Sequence, residues 1–156
     1  MSDSNNQNLE FFRADVASQV DLPYADTGVR AGFPSPAQDF MEYALDLNKE
    51  LIRHPASTFL ARVQGDSMKD AGVYDGDLLV IDKSLPPFDG AMAVCYVDGE
   101  FTVKFIKINK NGIWLVPANE TYRPIRITGQ NNFLIWGIVT YSVHNQKRKF
   151  SHVRID

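Results

Sequence analysis

Alternating apolar and polar side chains run through the chain from Ser57 onward, and this period of two predicts β-strands. The segments that carry the pattern, or form short apolar runs, are 59–64, 78–81, 91–97, 101–108, 113–116 and 133–143. Asp98-Gly99 and Asn111-Gly112 separate three of them with residue pairs that favour tight hairpin turns. Short strands joined by turns predict a mostly β body.

Apolar residues recur at helical spacing in the part of the chain before the strands. Residues 9–20 carry them at i, i+3, i+7 and i+11, which permits a short helix. A wider stripe covers 37–45 and follows Ser35, a favourable N-cap, so a second helix is expected there. A third short helix is predicted at 48–53, because Pro55 ends it soon afterwards. The body therefore carries short helices at its front.

Length and patterning divide the 156 residues into an arm, one body and a tail. Residues 1–31 have five acidic and two basic side chains and little to bury, so we expect an extended or mobile arm that lies on another surface. This arm is too short for a helix-turn-helix domain. Residues 32–143 form the body, and residues 144–156 form a locally basic tail that we interpret as a solvated terminus.

Composition excludes several classes of protein. The net charge of −3 and the pI near 5.6 give no general electrostatic case for nucleic-acid binding. Cys95 is the single cysteine, which excludes an internal disulfide framework and a multi-cysteine zinc site and fits a reducing compartment. The first residues resemble no signal peptide, and the longest apolar stretch, 133–143, is too short to span a bilayer, so a cytoplasmic location is expected.

Candidate chemistry begins at Gly65-Asp66-Ser67-Met68, a tetrapeptide that follows a predicted strand. A serine at this place either caps the next element or acts as a nucleophile, and nucleophilic attack requires a base that takes the hydroxyl proton. The three histidines lie in no motif, and two of them follow the last predicted strand: His54, His144 and His152. A Ser-His-Asp triad is therefore not supported.

Lys104 is the other candidate base, because it lies within the predicted strand 101–108. Strand alternation places it on one face with Thr102 and Ile106, and both faces of this strand are rich in apolar side chains. Two interpretations remain open: an edge lysine with its ammonium group in water, or a buried lysine kept for chemistry. Burial that lowers its pKa from about 10.4 to about 7 or 8 costs roughly 3–5 kcal/mol of folding stability.

Three segments in combination resemble the LexA/UmuD family of self-cleaving Ser-Lys proteins. They are the Ser67 tetrapeptide, residues 75–79 with the sequence Asp-Gly-Asp-Leu-Leu, and residues 98–104 with the sequence Asp-Gly-Glu-Phe-Thr-Val-Lys. The resemblance covers about residues 28–143 and includes Ala31-Gly32, followed by Phe-Pro-Ser-Pro, which looks like the family's self-cleavage site. A short arm in place of a DNA-binding domain is similar to the UmuD branch, whereas the Ala-Gly pair looks more like the LexA branch.

The resemblance implies a fold and a role for each site residue. The fold is a compact, twisted, barrel-like β body of the LexA C-terminal type with an extended, cleavable N-terminal arm. Ser67 is expected to be the nucleophile of a serine peptidase, and Lys104 the general base and then the acid that protonates the leaving amine. The carbonyl of Ala31 is attacked, Gly32 becomes the new N-terminus, and the backbone N–H groups of Ser67 and Met68 stabilise the oxyanion. No metal or other cofactor is expected.

The resemblance also implies a trigger and partners. A RecA filament on single-stranded DNA, formed after DNA damage in the SOS response, is expected to act as coprotease by favouring the conformation in which the arm lies in the active-site cleft. The cleaved chain is expected to form a homodimer that joins a UmuC-type Y-family DNA polymerase in error-prone translesion synthesis. Membrane attachment and direct sequence-specific DNA binding are not expected.

The last predicted strand, 133–143, bears on the homodimer because it is apolar on both faces. In one interpretation, one face packs on the body and the other pairs or packs across a two-fold axis. In the other, both faces are buried within a single chain.

Two other functions remain as alternatives. A signal-peptidase-like Ser-Lys enzyme that acts on exported proteins shares the same chemistry but needs a membrane anchor, which the sequence lacks. A non-cleaving LexA-like regulatory or binding module has inert Ser67 and Lys104 side chains, separated by more than a hydrogen-bond distance. We interpret Cys95 as a small buried hydrophobic residue, and Asp75 and Asp77 as parts of a turn and not as a metal site.

Overall fold

Antiparallel β-strands are the main regular structure in the computed structural model, which describes residues 9–17, 21–24 and 43–147. The elements in chain order are β1 (Leu9–Arg13), β2 (Asp21–Tyr24), β3 (Tyr43–Asp46), α1 (Leu47–Leu51), β4 (Thr58–Val63), β5 (Leu78–Asp82), β6 (Met92–Val97), β7 (Glu100–Asn109), β8 (Gly112–Val116), β9 (Ile125–Ile127) and β10 (Phe133–Val143). This confirms the mostly β fold class. The sequence pattern missed β9, since three residues are too few to show alternation.

One sheet holds eight of the described strands in the order β1-β4-β5-β10-β6-β7-β8-β9, and β2 pairs separately with β3. All the pairings are antiparallel. The long last strand, β10, lies between β5 and β6, and its register shifts twice, between Ile135 and Gly137 and between Val139 and Tyr141. Within the described residues, the first half of β10 pairs with β6 and the second half with β5, and the two pairings meet at Ile138.

Apolar side chains pack on both faces of this sheet. Along β6, Val94 contributes to one buried cluster, whereas Ala93 and Cys95 contribute to the other. Along β7, Val103 and Ile106 are divided between the same two clusters. The alternation predicted for strand 101–108 is therefore confirmed, and β7 lies between two apolar layers.

The β6–β7 hairpin turns at Asp98-Gly99, as predicted. Asp98 has a φ of 48° and Gly99 a φ of 92°, and Val97 pairs with Glu100 across this two-residue loop. A turn with positive φ at both central positions matches the twist of the flanking strands, and glycine adopts that backbone conformation without steric cost. The turn fixes the register that pairs Lys104 with Ala93.

The helix predicted over residues 9–20 is wrong for the described part of the arm. Residues Leu9–Arg13 form strand β1, which pairs with β4 along the edge of the sheet. Phe11 contacts Phe101 and Trp136, with ring centroids 5.1 and 4.8 Å apart. Pairing with the edge of β4 satisfies a row of backbone N–H and C=O groups. A short helix with a narrow apolar stripe is marginally stable by itself, so the strand is favoured.

The helix predicted over residues 37–45 is wrong at its described end, because Tyr43–Asp46 form strand β3. Its other residues, with the proposed N-cap Ser35, lie outside the described residues. The short helix predicted at 48–53 is confirmed as α1, which begins with the Asp46 side chain accepting the Asn48 N–H at 3.0 Å. Within the described ranges, no helix is long and apolar enough to cross a membrane.

Candidate active site

Ser67 lies on the loop that connects β4 to β5. Two backbone hydrogen bonds close the base of this loop, from the Val63 N–H to the Asp77 carbonyl at 2.9 Å and from the Gly76 N–H to the Val63 carbonyl at 2.7 Å. Gly65 has a φ of 97°, which lets the chain turn away from β4 two residues before Ser67. The loop is therefore closed at its base and bent sharply at the nucleophile.

The side chain of Met68 holds this loop against the body. It is fully buried in the same apolar cluster as Val73 and Val103, and a 3-10 turn, Lys69–Ala71, follows it. Ser67 itself is only 1% exposed. The methionine side chain is thus a packing residue next to the buried serine.

Lys104 projects from β7 and is fully buried, with 0% of its surface exposed. It pairs with Ala93 of β6, and the pairing of β7 with β8 begins at the next residue, Phe105. The interpretation of Lys104 as an edge lysine with its ammonium group in water is therefore wrong. The Lys104 Nζ lies against the buried side chains of Ser67 and Thr102 instead of in water.

The structure brings Ser67 and Lys104 together. The Lys104 Nζ lies 3.2 Å from the Ser67 Oγ, within hydrogen-bond distance across 37 residues of sequence. The same Nζ donates to the Thr102 Oγ1 at 2.6 Å and to the Val103 carbonyl at 3.1 Å. These contacts aim the lysine side chain at the serine hydroxyl.

Burial shifts the ionisation of Lys104. Removal from water disfavours the ammonium form and lowers the pKa of Lys104 from 10.5 to about 8, and a smaller electrostatic effect of Cys95 acts in the opposite direction. Burial also raises the pKa of Cys95 from 9.0 to about 12, so this thiol stays protonated at neutral pH. Cys95 is fully buried on β6, which agrees with its interpretation as a small hydrophobic residue.

A neutral Lys104 can act as an acceptor toward Ser67. An uncharged lysine has a lone pair on its Nζ, which an ammonium group lacks. The Ser67 Oγ is 3.2 Å from this nitrogen, so in the neutral form the serine hydroxyl can donate to it. The pair can therefore move a proton from Ser67 to Lys104 without rearrangement of either side chain.

Thr102 is a site residue whose role was not predicted from the sequence. Strand alternation had placed it only on the same face as Lys104. The signal available was its position two residues before Lys104, which in a strand brings two side chains to the same face. Its hydroxyl holds the Nζ at 2.6 Å and is nearly inaccessible to solvent. A hydroxyl two residues from a buried lysine is a useful marker of this kind of base.

Thr102→Val is expected to slow serine-dependent chemistry about 10-fold or more, because loss of one buried hydrogen bond is worth about 1–3 kcal/mol. An acceptor at the Nζ favours the ammonium form, so its removal lowers the pKa of Lys104 further. We therefore expect the pH profile to move to lower pH while the maximal rate falls. A rate profile measured across the alkaline range checks both effects, and an unchanged profile and rate would exclude this role.

The two described histidines belong to other hydrogen-bonded pairs. The Nδ1 of His54 lies 2.5 Å from the Asp82 carboxylate, which also accepts the hydroxyls of Ser57 and Ser84. The Nδ1 of His144 contacts the buried carboxylate of Asp77. His152 lies outside the described residues. Among the contacts that the structure describes, the basic side chain that bonds to Ser67 is Lys104, and neither His54 nor His144 does so.

Asp75 and Asp77 lie in the turn that precedes β5. The Asp75 carboxylate accepts the Gly65 N–H at 2.9 Å, and the Asp77 carboxylate accepts the Tyr74 N–H at 2.8 Å. These bonds fix the turn around Gly76 and, through Gly65, the start of the Ser67 loop. Within the described ranges, no group of three or more potential ligand side chains is arranged to hold a metal ion.

The two residues of the expected cleavage site, Ala31 and Gly32, lie outside the described residues. The expected oxyanion donors are described. Among the hydrogen bonds of the described residues, none uses the backbone N–H of Ser67 or of Met68. These two N–H groups belong to the peptide groups on either side of the Ser67 Cα, and their role as oxyanion donors stays a prediction.

Comparison with known proteins identifies the family. Residues 23–140 match the family model described as peptidase S24-like. Protein SamA of Salmonella typhimurium strain LT2 is 44% identical over 117 residues, which cover 75% of this chain and 81% of SamA. Protein MucA of Escherichia coli is 37% identical over 137 residues, covering 86% and 93%, and protein ImpA of Shigella flexneri is 42% identical over 118 residues, covering 76% and 80%. The chain therefore belongs to the peptidase S24-like family, in agreement with its resemblance to the LexA/UmuD proteins.

Proposed function

We propose that this protein is a self-cleaving Ser-Lys peptidase that cuts its own Ala31–Gly32 peptide bond. The observation that carries the proposal is the 3.2 Å contact between the Ser67 hydroxyl and a fully buried Lys104 whose pKa is lowered to about 8. Burial of a lysine away from water opposes folding, so its presence within hydrogen-bond distance of a serine hydroxyl favours a catalytic role over a structural one.

Acylation uses the neutral form of Lys104. Its lone pair takes the proton of the Ser67 hydroxyl while the Oγ attacks the carbonyl carbon of Ala31, which forms a C–O bond and a tetrahedral oxyanion. The N–H groups of Ser67 and Met68 donate to this oxyanion. The protonated Lys104 then gives its proton to the Gly32 nitrogen as the C–N bond breaks, and the arm remains on Ser67 as an ester.

Deacylation repeats these steps with water. Neutral Lys104 accepts a proton from a water molecule that attacks the ester carbonyl, and the resulting ammonium group returns a proton to the Ser67 Oγ. The products are an arm that ends in the Ala31 carboxylate and a body that begins with the Gly32 amine. Ser67 and Lys104 regain their starting forms, so no cofactor is consumed.

The described part of the arm supports a reaction on the chain's own arm. Strand β1 pairs with β4 so that Leu9 lies opposite Val63, the last β4 residue before the Ser67 loop. A substrate tethered to the body reacts at a high effective concentration, which compensates for a slow serine nucleophile. We therefore assign residues 1–31 as the cleavable arm, 32–143 as the catalytic and dimerisation domain, and 144–156 as the basic tail.

The trigger of self-cleavage and the function of the cleaved protein are inferred from the family resemblance. A RecA filament on single-stranded DNA acts as coprotease in the SOS response by stabilising the conformation with the cleavage site in the cleft. The cleaved protein forms a homodimer and serves a UmuC-type Y-family DNA polymerase in translesion synthesis. The dimer contact through β10 uses its exposed side chains, such as Leu134, Tyr141 and Val143.

Intact mass spectrometry tests the peptidase proposal directly. The purified protein is incubated at alkaline pH, and in parallel with RecA, an ATP analogue and single-stranded DNA. We expect one new fragment that begins at Gly32, and no such fragment from Ser67→Ala. Cleavage at alkaline pH without a response to the filament would support the dyad and contradict the trigger, whereas cleavage of Ser67→Ala would contradict the mechanism.

A non-cleaving regulatory or binding module is the second candidate. It needs a Ser67–Lys104 separation beyond hydrogen-bond distance, and the observed 3.2 Å disfavours it. Failure of the folded wild-type protein to cleave under both conditions would favour this candidate. Binding of the uncut arm by a partner would then be the activity to measure.

A further inference from the structure

The loop between β8 and β9 holds both peptide groups that flank Ser67. The Asn119 Nδ2 donates to the Asp66 carbonyl at 2.9 Å, across 53 residues of sequence. The backbone N–H of Ala118 donates to the Ser67 carbonyl at 2.9 Å, and the Ala118 carbonyl accepts the Asp70 N–H at 2.8 Å. Two neighbouring residues of one loop therefore bind two consecutive carbonyl groups of the other.

These contacts determine where the adjacent N–H groups point. The Asp66 carbonyl and the Ser67 N–H belong to one peptide group, and the Ser67 carbonyl and the Met68 N–H belong to the next. In a planar trans peptide the C=O and N–H bonds point in opposite directions. Because both carbonyls face the 118–119 segment, the Ser67 and Met68 N–H groups face away from it.

Asn119 is itself fixed in orientation. Its Oδ1 accepts the Thr121 N–H at 3.0 Å, which leaves the Nδ2 as the end that faces Asp66. Its backbone carbonyl accepts the Tyr122 N–H at 3.0 Å, and only 5% of the residue is exposed. A buried amide with both ends engaged holds its partner in place more firmly than a mobile surface side chain does.

We propose that Asn119 is a positioning residue for the oxyanion donors of this site. It touches neither the nucleophile's hydroxyl nor the base, and it acts by holding the Asp66 carbonyl so that the Ser67 N–H is aimed at the reacting carbonyl. The backbone N–H of Ala118 holds the Ser67 carbonyl in the same way, and this orients the Met68 N–H of the same peptide group. This role rests on the proposed self-cleavage activity and adds to it the contacts that orient the two oxyanion donors.

Two substitutions separate the contacts of Asn119. Asn119→Ala removes both of its side-chain contacts. Asn119→Asp keeps an oxygen for the Thr121 N–H but cannot donate to the Asp66 carbonyl once it is ionised. Tyr122→Phe is the matched control, since the Tyr122 hydroxyl binds the side chain of Asp66 at 2.9 Å and leaves its carbonyl untouched. That hydrogen bond raises the pKa of Tyr122, so the phenol keeps its proton further into the alkaline range.

The measured quantities are the self-cleavage rate across the alkaline pH range and the free energy of unfolding of each full-length variant. We expect both Asn119 variants to lose about 10- to 100-fold in the maximal rate, since a small misplacement of catalytic groups has effects of that size. The midpoint of the pH profile should stay at its wild-type value in Asn119→Ala, because the burial of Lys104 is unchanged, whereas the carboxylate of Asn119→Asp favours the ammonium form and moves the midpoint to higher pH. Tyr122→Phe should cleave within about twofold of wild type.

Each outcome bears on a different claim. Rates within about twofold of wild type for folded Asn119→Ala and Asn119→Asp would overturn the positioning role and leave the proposed function intact. A shifted midpoint with an unchanged maximal rate in Asn119→Ala would also overturn it, because the residue would then act through Lys104. Absence of cleavage in the folded wild-type protein would instead refute the proposed function, and this inference with it. If Asn119→Ala does not fold, Asn119→Asp still decides the matter, because it keeps the shape and the Thr121 contact.

Discussion

Replacing Lys104 by methionine is expected to stabilise the fold by about 2 kcal/mol at pH 7 while it abolishes self-cleavage. The pKa of Lys104 falls from 10.5 to about 8 on burial, which corresponds to a folding penalty of about 3 kcal/mol while the group is charged in the unfolded chain. Loss of the hydrogen bonds to Thr102 and Ser67 offsets about 1 kcal/mol of the gain. Methionine has a similar length and no charge to desolvate.

The gain in folding stability from Lys104→Met should decrease as the pH rises. Between pH 8 and 10.5 the unfolded chain binds more protons at Lys104 than the folded chain does, so wild-type stability rises with pH in this window. The penalty is fully present below pH 8 and is lost above 10.5. The stability of Lys104→Met relative to wild type should therefore fall by about 3 kcal/mol across that window, from a gain of about 2 kcal/mol to a loss of about 1 kcal/mol.

Denaturant unfolding at several pH values measures this difference. Lys107→Met is the matched control, because Lys107 lies on the same strand but is exposed, and we expect its effect to stay within about 0.5 kcal/mol. To keep cleavage from interfering, all variants are compared in a Ser67→Ala background. A Lys104→Met protein that is less stable than its parent at pH 7 would show that burial of this lysine costs little.

The rate of self-cleavage should rise about tenfold per pH unit below pH 8 and level off above it, because only neutral Lys104 can accept the Ser67 proton. Lys104→Ala is expected to lose on the order of 10²- to 10⁴-fold in rate. Its remaining rate should keep rising with pH, since hydroxide then replaces the missing base. Ser67→Ala should show no cleavage at any pH.

A time course of fragment formation between about pH 6 and pH 10, followed by intact mass, gives these rates. Lys107→Ala serves as the control for general effects of removing a lysine from β7, and it should retain the wild-type profile. A wild-type profile without a plateau near pH 8 would contradict the assignment of Lys104 as the base. A plateau that survives in Lys104→Ala would point to another titrating group.

Strand alternation is a local property, and it predicted β7 well. Residues 101–108 showed which side chains share a face, and the two core clusters divide Val103 and Ile106 as that pattern requires. The same pattern could not tell an edge lysine from a buried one. That distinction depends on distant segments of the chain, such as the Ser67 loop, whose serine hydroxyl contacts the Lys104 Nζ.

The arm shows the opposite case, in which a tertiary contact overrides a local preference. Apolar residues at helical spacing favoured a helix over 9–20, but Leu9–Arg13 form a strand on the open edge of β4. A short isolated helix is marginal in water, and edge pairing satisfies more backbone groups per residue. The sequence of the arm by itself does not indicate that β4 offers an edge for it to pair with.

Short-range chemistry in the sequence determined the strands, the Asp98-Gly99 hairpin and, through its motifs, the candidate pair Ser67 and Lys104. Tertiary structure alone decided that this pair lies at 3.2 Å, that the lysine is buried enough for its pKa to fall to about 8, and that Asn119 meets the Asp66 carbonyl. Faces and turns are properties of neighbouring residues, whereas desolvation and contact depend on which distant segments the fold brings together.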